Sequence, residues 1–332
     1  KSLWFDHFFA TGTRTVRGLE ALSLGIPPIP GQSVVRRPGN ENLATVGGLL
    51  AQQGYDVSFI YGGYGLFDNM NAYFRGNGYQ IVDRSDFDDN SIAFANIWGV
   101  ADESLFANSI GVFDKAYANG KPFFAHIMTT SNHRPFTYPD GRIDIPSPGD
   151  RDGGVKYTDY AIGKFIEDSR GKPWFDDTLF VITADHCAAV AGKTRLPVAD
   201  YRIPLFMYGP KLVKPAVDSE IASQIDVPTT LLTLLGYPGQ DNFFGRNLFA
   251  TDRGPPRAFI SNYEELGYYK NDTLTVLSTH RKVSAFSIDP DSLVSAPRPV
   301  DAQLAREAIA YYQTAENAFR QGALALPPVA AK

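Results

Sequence analysis

Apolar positions in this chain come in two rhythms: short unbroken runs, and segments in which they recur every three or four residues. The two alternate along most of its length. Val57-Ser58-Phe59-Ile60-Tyr61 is a run that stops at Gly62-Gly63 and reads as a buried strand. Ahead of it Leu43, Val46, Leu49 and Leu50 share one helical face, with Asn42 placed to cap the helix and Gly54 to stop it. Phe123 to Met128 is a second strand, entering the polar Thr129-Thr130-Ser131-Asn132-His133. Leu179-Phe180-Val181-Ile182 is a third, ending in Thr183-Ala184-Asp185-His186; Ile203 to Tyr208 is a fourth, stopped by Gly209-Pro210. Helical periodicity covers 103–118, with Asp102 as its cap, then 156–168 and 225–235. Strands interleaved with helices predict an α/β fold, a central and mostly parallel sheet flanked by helices.

The rhythm changes near residue 250. Ala258 to Ser261, Thr273 to Ser278 and Lys282 to Ile288 read as short strands of a small antiparallel sheet. Residues 301–321 follow as one amphipathic helix, with Leu304, Ala308, Tyr311, Ala315 and Phe319 along a face. Leu326-Pro327-Pro328 reads as a frayed tail. With no internal repeat and no long linker, residues 1–250 are expected to form the core and 251–332 a C-terminal subdomain packed on it.

Charge removes one class of function. Lys and Arg total 31 against 36 Asp and Glu, a formal charge of -5, so a nucleic-acid-binding role is excluded. The lone cysteine, Cys187, forbids an internal disulfide and a multi-cysteine zinc cluster, while five histidines leave room for a mixed-ligand metal site. No apolar run reaches the roughly 18 residues that a membrane span needs.

Two polar clusters fall at strand ends, where open α/β sheets gather ligands. Ser131-Asn132-His133 is one and Asp185-His186 the other. An adjacent Asp and His can offer an oxygen and a nitrogen to one divalent cation, and the same pair serves equally as a turn or cap. Near the start, Ala10-Thr11-Gly12-Thr13-Arg14-Thr15-Val16-Arg17-Gly18 precedes a helical Leu19-Glu20-Ala21-Leu22. A hydroxyl at a helix start with an arginine one turn on suits a phosphate or sulfate ester. Threonine is also an ordinary N-cap.

In this order, Thr-x-x-x-Arg, Ser-Asn-His, Asp-His and then a strand containing Tyr-x-x-Pro, the segments resemble the alkaline phosphatase/sulfatase superfamily. Residues 10–18 are similar to its lipoteichoic-acid-synthase-like branch, and closest to the phosphoglycerol transferases that decorate periplasmic glucans. Tyr61-Gly62-Gly63, Phe67-Asp68-Asn69-Met70, Trp98-Gly99-Val100, Thr194-Arg195-Leu196-Pro197, Gln224-Ile225-Asp226-Val227-Pro228-Thr229 and Phe244-Gly245-Arg246-Asn247-Leu248 extend the likeness over nearly all of the first 250 residues.

The resemblance implies that Thr13 is the nucleophile and Arg17 the motif arginine. It implies that Asp185 and His186, with the Thr13 hydroxyl, hold one divalent cation: Mn²⁺ first, with Mg²⁺ and Zn²⁺ as alternatives. His133 is implied to contact the leaving group, with Asn132 orienting beside it. Asp68 and Asn69 are placed either to bond a glycerol headgroup or to cap a helix. The implied reaction moves glycerophosphate from a phosphatidylglycerol-like lipid to an envelope glycan through a phospho-threonine intermediate. The implied location is the periplasmic face of the inner membrane, on an anchored protein. In the family a glutamate at the end of an upstream strand completes the metal site. No counterpart precedes Thr13 in these 332 residues, so the chain reads as a catalytic domain short of one strand and one carboxylate, with low metal affinity.

Other readings of the same fold are a phosphodiesterase, a transferase of another headgroup, or an inactive module that binds glycan or lipid headgroups. A sulfatase needs a cysteine or serine to become formylglycine, which Thr13 cannot supply. Phosphoethanolamine transferases carry several disulfides in this domain, and one cysteine cannot match that. Glu20 reads as a solvated or capping residue, His126 as a core histidine, Cys187 as a buried neutral thiol, and Lys193 and Arg195 either as cations that steer anionic headgroups or as part of a solvated loop.

Overall fold

The computed structural model describes residues 1–188, 196–239 and 242–328. In chain order the elements are β1 (Leu3–Phe5), β2 (Phe8–Phe9), α1 (Thr15–Leu24), α2 (Val46–Gln52), β3 (Asp56–Tyr61), α3 (Met70–Gly76), β4 (Gln80–Val82), α4 (Asp102–Ala118), β5 (Phe123–Met128) and α5 (Arg151–Ser169). There follow β6 (Phe180–Thr183), β7 (Leu205–Tyr208), β8 (Ala216–Asp218), β9 (Ala222–Ser223), α6 (Asp226–Leu234), β10 (Ala258–Ser261), β11 (Leu266–Lys270), β12 (Thr273–Ser278), β13 (Lys282–Ile288), β14 (Ser295–Arg298) and α7 (Ala302–Arg320).

The chain divides into two compact units, one formed by residues 1–46 with the segment from 179 onward, the other by 47–178. In the first unit, β6, β7, β1 and β8 form one sheet, in which β7 is antiparallel to both β6 and β1 while β8 runs parallel to β1. A short parallel pair joins β2 to β9. The C-terminal strands β10 to β14 form an antiparallel meander. Against it packs a core of Ala21, Ile225, Phe259, Tyr268, Leu304, Ala308 and Tyr312. The α7 residues of that core, Leu304, Ala308 and Tyr312, recur at helical spacing. In the second unit β4, β3 and β5 are all parallel, and Val57 to Tyr61 are buried as the unbroken apolar run requires.

The α/β class, the C-terminal antiparallel sheet and the terminal helix are as expected. Among the described residues, four of the six strand pairings outside that sheet are parallel, though they lie in separate small sheets. Several local expectations are corrected. Asn42 has a left-handed backbone and α2 begins at Val46, because Leu43 is drawn into a bridge with Ala325. Leu326 donates its amide to the Asn42 carbonyl at 2.8 Å, so the chain is tied down there and not frayed. Helix α5 starts at Arg151 with Asp150 as its cap, well before residue 156. The Gly153-Gly154 pair hides that turn in the sequence, and Gly153 is required because a Cβ there would collide with the Tyr138 hydroxyl. Strands β1, β2, β4, β8, β9, β11 and β14 have no counterpart in the sequence reading.

Candidate active site

Thr13 lies between β2 and α1. The helix N-cap is Arg14, whose side chain caps nothing, so the capping role open to threonine is not taken. Thr13 is buried, 6% exposed, and its hydroxyl has no hydrogen-bond partner among the described residues. Two residues on, the Thr15 hydroxyl donates to Asp185 Oδ2 at 2.7 Å and so joins the start of α1 to the end of β6. Asp185 Oδ1 accepts the His186 amide at 2.9 Å. His186 Nδ1 lies 2.7 Å from the Cys187 carbonyl, which fixes the proton on Nδ1 and leaves the Nε2 lone pair free. That Nε2 stands 3.6 Å from Asp185 Oδ2. An oxygen and a nitrogen so disposed fit two positions on one cation. Among the described residues no cluster of three or more His, Cys, Asp or Glu occurs.

Three residues lock this arrangement. A Cβ at Gly18 would collide with the Asp185 carbonyl, so α1 approaches β6 this closely only through a glycine. At Gly12 a Cβ would stand 2.7 Å from Arg17 Cβ. Gln224 spans the gap between the two segments. Its Nε2 donates to the carbonyls of Ala184 at 3.0 Å and Asp185 at 2.8 Å, and its Oε1 accepts the Thr11 amide at 2.8 Å. Thr15 and Gln224 were missed in the sequence reading, although both stand in quoted motifs.

Arg17 is buried, and both terminal nitrogens are engaged. Nη1 donates to Glu20 at 2.9 Å, and Nη2 donates to the carbonyls of Ile29 and Gly31. Glu20 is therefore neither solvated nor a cap; it is 1% exposed and also accepts the Val34 amide. Cys187 is buried, as expected, and forms no disulfide among the described residues. Thr194 and Arg195 of the quoted motif, and Lys193, lie outside the described residues.

The second unit carries a separate cluster. His133 is exposed and its ring packs on Trp98, centroids 3.9 Å apart, while Trp98 meets the edge of Phe67 at 5.9 Å. His133 Nδ1 lies 3.0 Å from the Arg134 carbonyl, so Nε2 is the nitrogen left for another partner. The turn that presents His133 hangs on Asp102, which is the first residue of α4 and not its cap. Asp102 Oδ1 accepts the amides of Thr130 and Ser131, each at 3.0 Å, and Oδ2 accepts the Thr158 hydroxyl at 2.9 Å. Burial raises this carboxyl's pKa, against the pull of those hydrogen bonds.

Asp68 and Asn69 both have left-handed backbones, and Asn69 gives α3 no side-chain cap, so neither takes the capping role. The turn they occupy is held by buried Asp83, whose Oδ2 accepts Gly65 N at 3.1 Å and Asn71 Nδ2 at 2.7 Å. Asn132 is exposed on the same turn as His133. His126 lies edge-on to Phe59 and Phe74, with ring centroids 5.7 and 5.4 Å away, in keeping with a core role.

A family model described as Sulfatase matches residues 1–237. Lipoteichoic acid synthase 1 of Bacillus subtilis (strain 168) is 27% identical over 281 residues, which is 77% of this chain and 43% of that protein. Phosphoglycerol transferase I of Xanthomonas campestris is 26% identical over 279 residues, 76% of this chain and 38% of its own. The chain thus spans about two fifths of the length of these curated relatives. Among solved structures, a protein in the alkaline phosphatase superfamily from Vibrio parahaemolyticus superposes with a TM-score of 0.91 at 37% identity, covering 98% of this chain and 80% of that one. The lipoteichoic acid synthase LtaP from Listeria monocytogenes shares the fold, with a TM-score of 0.80 at 19% identity over 96% of this chain and 84% of its own.

Proposed function

This chain belongs to the sulfatase family of the alkaline phosphatase superfamily, and from that premise we propose that it is the catalytic domain of a phosphoglycerol transferase. The donor is a phosphatidylglycerol-type lipid and the acceptor a hydroxyl of an envelope glycan, a periplasmic glucan by the motifs of residues 10–18. The work is done at the periplasmic face of the inner membrane, where the donor lipid lies. Among the described residues no helix is long and apolar enough to cross a membrane.

The observation that carries the reading is the Thr13 hydroxyl. It is buried, relieved of any capping duty and without a partner among the described residues, and it lies two residues from the Thr15 bond to Asp185. Threonine is a poor nucleophile at neutral pH. A divalent cation held by Asp185, His186 and Thr13 would lower the hydroxyl's pKa and polarise a phosphoryl oxygen, and Mn²⁺ suits these oxygen and nitrogen donors. Thr13 Oγ, its proton released to water, attacks phosphorus and the P–O bond to diacylglycerol breaks, the departing oxygen taking a proton in the role that the family motif gives His133. The glycan hydroxyl then attacks the phospho-threonine, its proton taken up in that same role, and the threonine leaves and recovers its proton from water. Asn132, Asp68 and Asn69 orient the glycerol headgroup. Arg17, with its terminal nitrogens engaged, positions the loop through residues 29–31.

The test is diacylglycerol release from phosphatidylglycerol vesicles with added Mn²⁺. Release that requires metal and disappears in Thr13→Ala, with a phosphoglycerol adduct on Thr13 found by mass spectrometry, supports the reading. Wild-type protein that releases nothing with any of the three cations overturns it.

A further inference from the structure

Resting on that phosphoryl-transfer reading, we propose that Arg14 is the cation that binds the phosphate group at this site, and that Tyr263 holds it in position. Arg14 stands between the candidate nucleophile Thr13 and Thr15, the residue bonded to Asp185. Consecutive Cα atoms are only about 3.8 Å apart, so Arg14 leaves the backbone directly beside Thr13, and its long side chain has the reach to meet a phosphodiester attacked there. The two arginines of the segment differ sharply in what they are free to do. Arg17 is buried and committed to Glu20 and two carbonyls. Arg14 is exposed and forms no ion pair among the described residues.

Among the described residues its side chain makes one hydrogen bond, from Nη1 to the Tyr263 hydroxyl, at 2.6 Å. A phenol is neutral, so it orients the guanidinium without cancelling its charge, and most of the five N–H donors stay open for a bidentate phosphate contact. Tyr263 is 76% exposed at the tip between β10 and β11, where burial gives an aromatic ring no reason to be. The tip is nevertheless anchored to the nucleophile segment. The Ser261 hydroxyl donates to the Thr11 carbonyl at 2.8 Å, and the Tyr201 hydroxyl donates to the Ser261 carbonyl at 2.9 Å. The C-terminal sheet thus supplies the brace for a side chain beside the nucleophile. The ligand is the singly charged phosphodiester of the donor, and after transfer the same phosphate on Thr13.

The experiment measures binding of inorganic phosphate to the Mn²⁺-supplemented protein by calorimetry, alongside steady-state hydrolysis of bis(p-nitrophenyl) phosphate. Loss of a charged hydrogen bond predicts that Arg14→Ala weakens phosphate binding and raises KM by about tenfold or more, with Mn²⁺ affinity and melting temperature unchanged. Arg14→Lys recovers part of the loss. Tyr263→Phe keeps the ring and gives a smaller rise in KM, and the double variant is no worse than Arg14→Ala, since the tyrosine acts through the arginine. Phosphate affinity and KM in Arg14→Ala within about twofold of wild type overturn the proposal. If Thr13→Ala keeps full turnover while Arg14→Ala loses phosphate binding, the nucleophile reading falls and the phosphate site stands. If wild type neither binds phosphate nor cleaves the diester, both fall.

Discussion

The geometry of the site depends on single atoms that are missing. Gly18 has no side chain, and the Asp185 carbonyl occupies the place where one would be. In Gly18→Ala the methyl must push the end of β6 away from α1, and with it the Thr15 contact to Asp185. Misplacing a reacting group by about 1 Å costs on the order of 100-fold, so kcat on a phosphodiester should fall by about that factor. Steady-state kinetics with calorimetric Mn²⁺ binding check this; unchanged kcat with a folded protein would mean that α1 can slide without disturbing the site. At this scale the sequence was legible in part. Thr13, Asp185 and His186 could be named from motifs because each motif is local. Thr15, Gln224 and the Arg14–Tyr263 pair could not, because their contacts join residues 170, 39 and 249 positions apart.

At the scale of elements, the long periodic segments were readable and the short or interrupted ones were not. β3, β5, β10, β12 and β13 match their apolar runs to within a residue. β1, β2 and β9 have three residues or fewer, too short for alternation to register, and their pairing is decided by distant partners. Asp102 is the instructive error. A helix-start aspartate ordinarily serves its own helix, whereas here it ties α4 to the turn after β5 through two amides. Asp102→Ala leaves both of these buried donors unsatisfied and should cost about 2–4 kcal/mol. Asp102→Asn, which can still accept both bonds, should cost markedly less. Urea unfolding of the two variants distinguishes these outcomes, and equal losses would point to packing instead.

For the whole molecule, the two units carry different chemistry: the candidate nucleophile and cation ligands in one, the aromatic-stacked histidine in the other. Their responses to acid can be separated through Asp83. Burial raises that carboxyl, but hydrogen bonds from Ser85, Asn71 and Gly65 outweigh it and hold its pKa below the ordinary 3.8. A depressed folded-state pKa means that its stabilisation is complete above the unfolded value and is lost as pH falls through the folded one. The second unit should therefore lose stability below pH 3.8, and Asp83→Asn should flatten that slope. Hydrogen exchange of residues 64–71 between pH 5 and pH 2.5 measures it; an identical slope in the variant would exclude Asp83 as the cause.

The division at residues 46 and 179 also fixes a calendar for synthesis. A ribosome delivers the chain from the amino end, and every strand pairing of the second unit closes inside 47–178. The first unit has no such luxury. β1 waits for β7 and β8, and the Thr11 backbone waits for Gln224 and then Ser261. The nucleophile segment is thus made well before the segments that hold it. Through that interval its apolar neighbours Phe5, Phe8 and Phe9, all fully buried in the finished molecule, are open to proteases and to other nascent chains. The layout that gathers the site from distant segments makes the nucleophile segment the natural client of a holding chaperone.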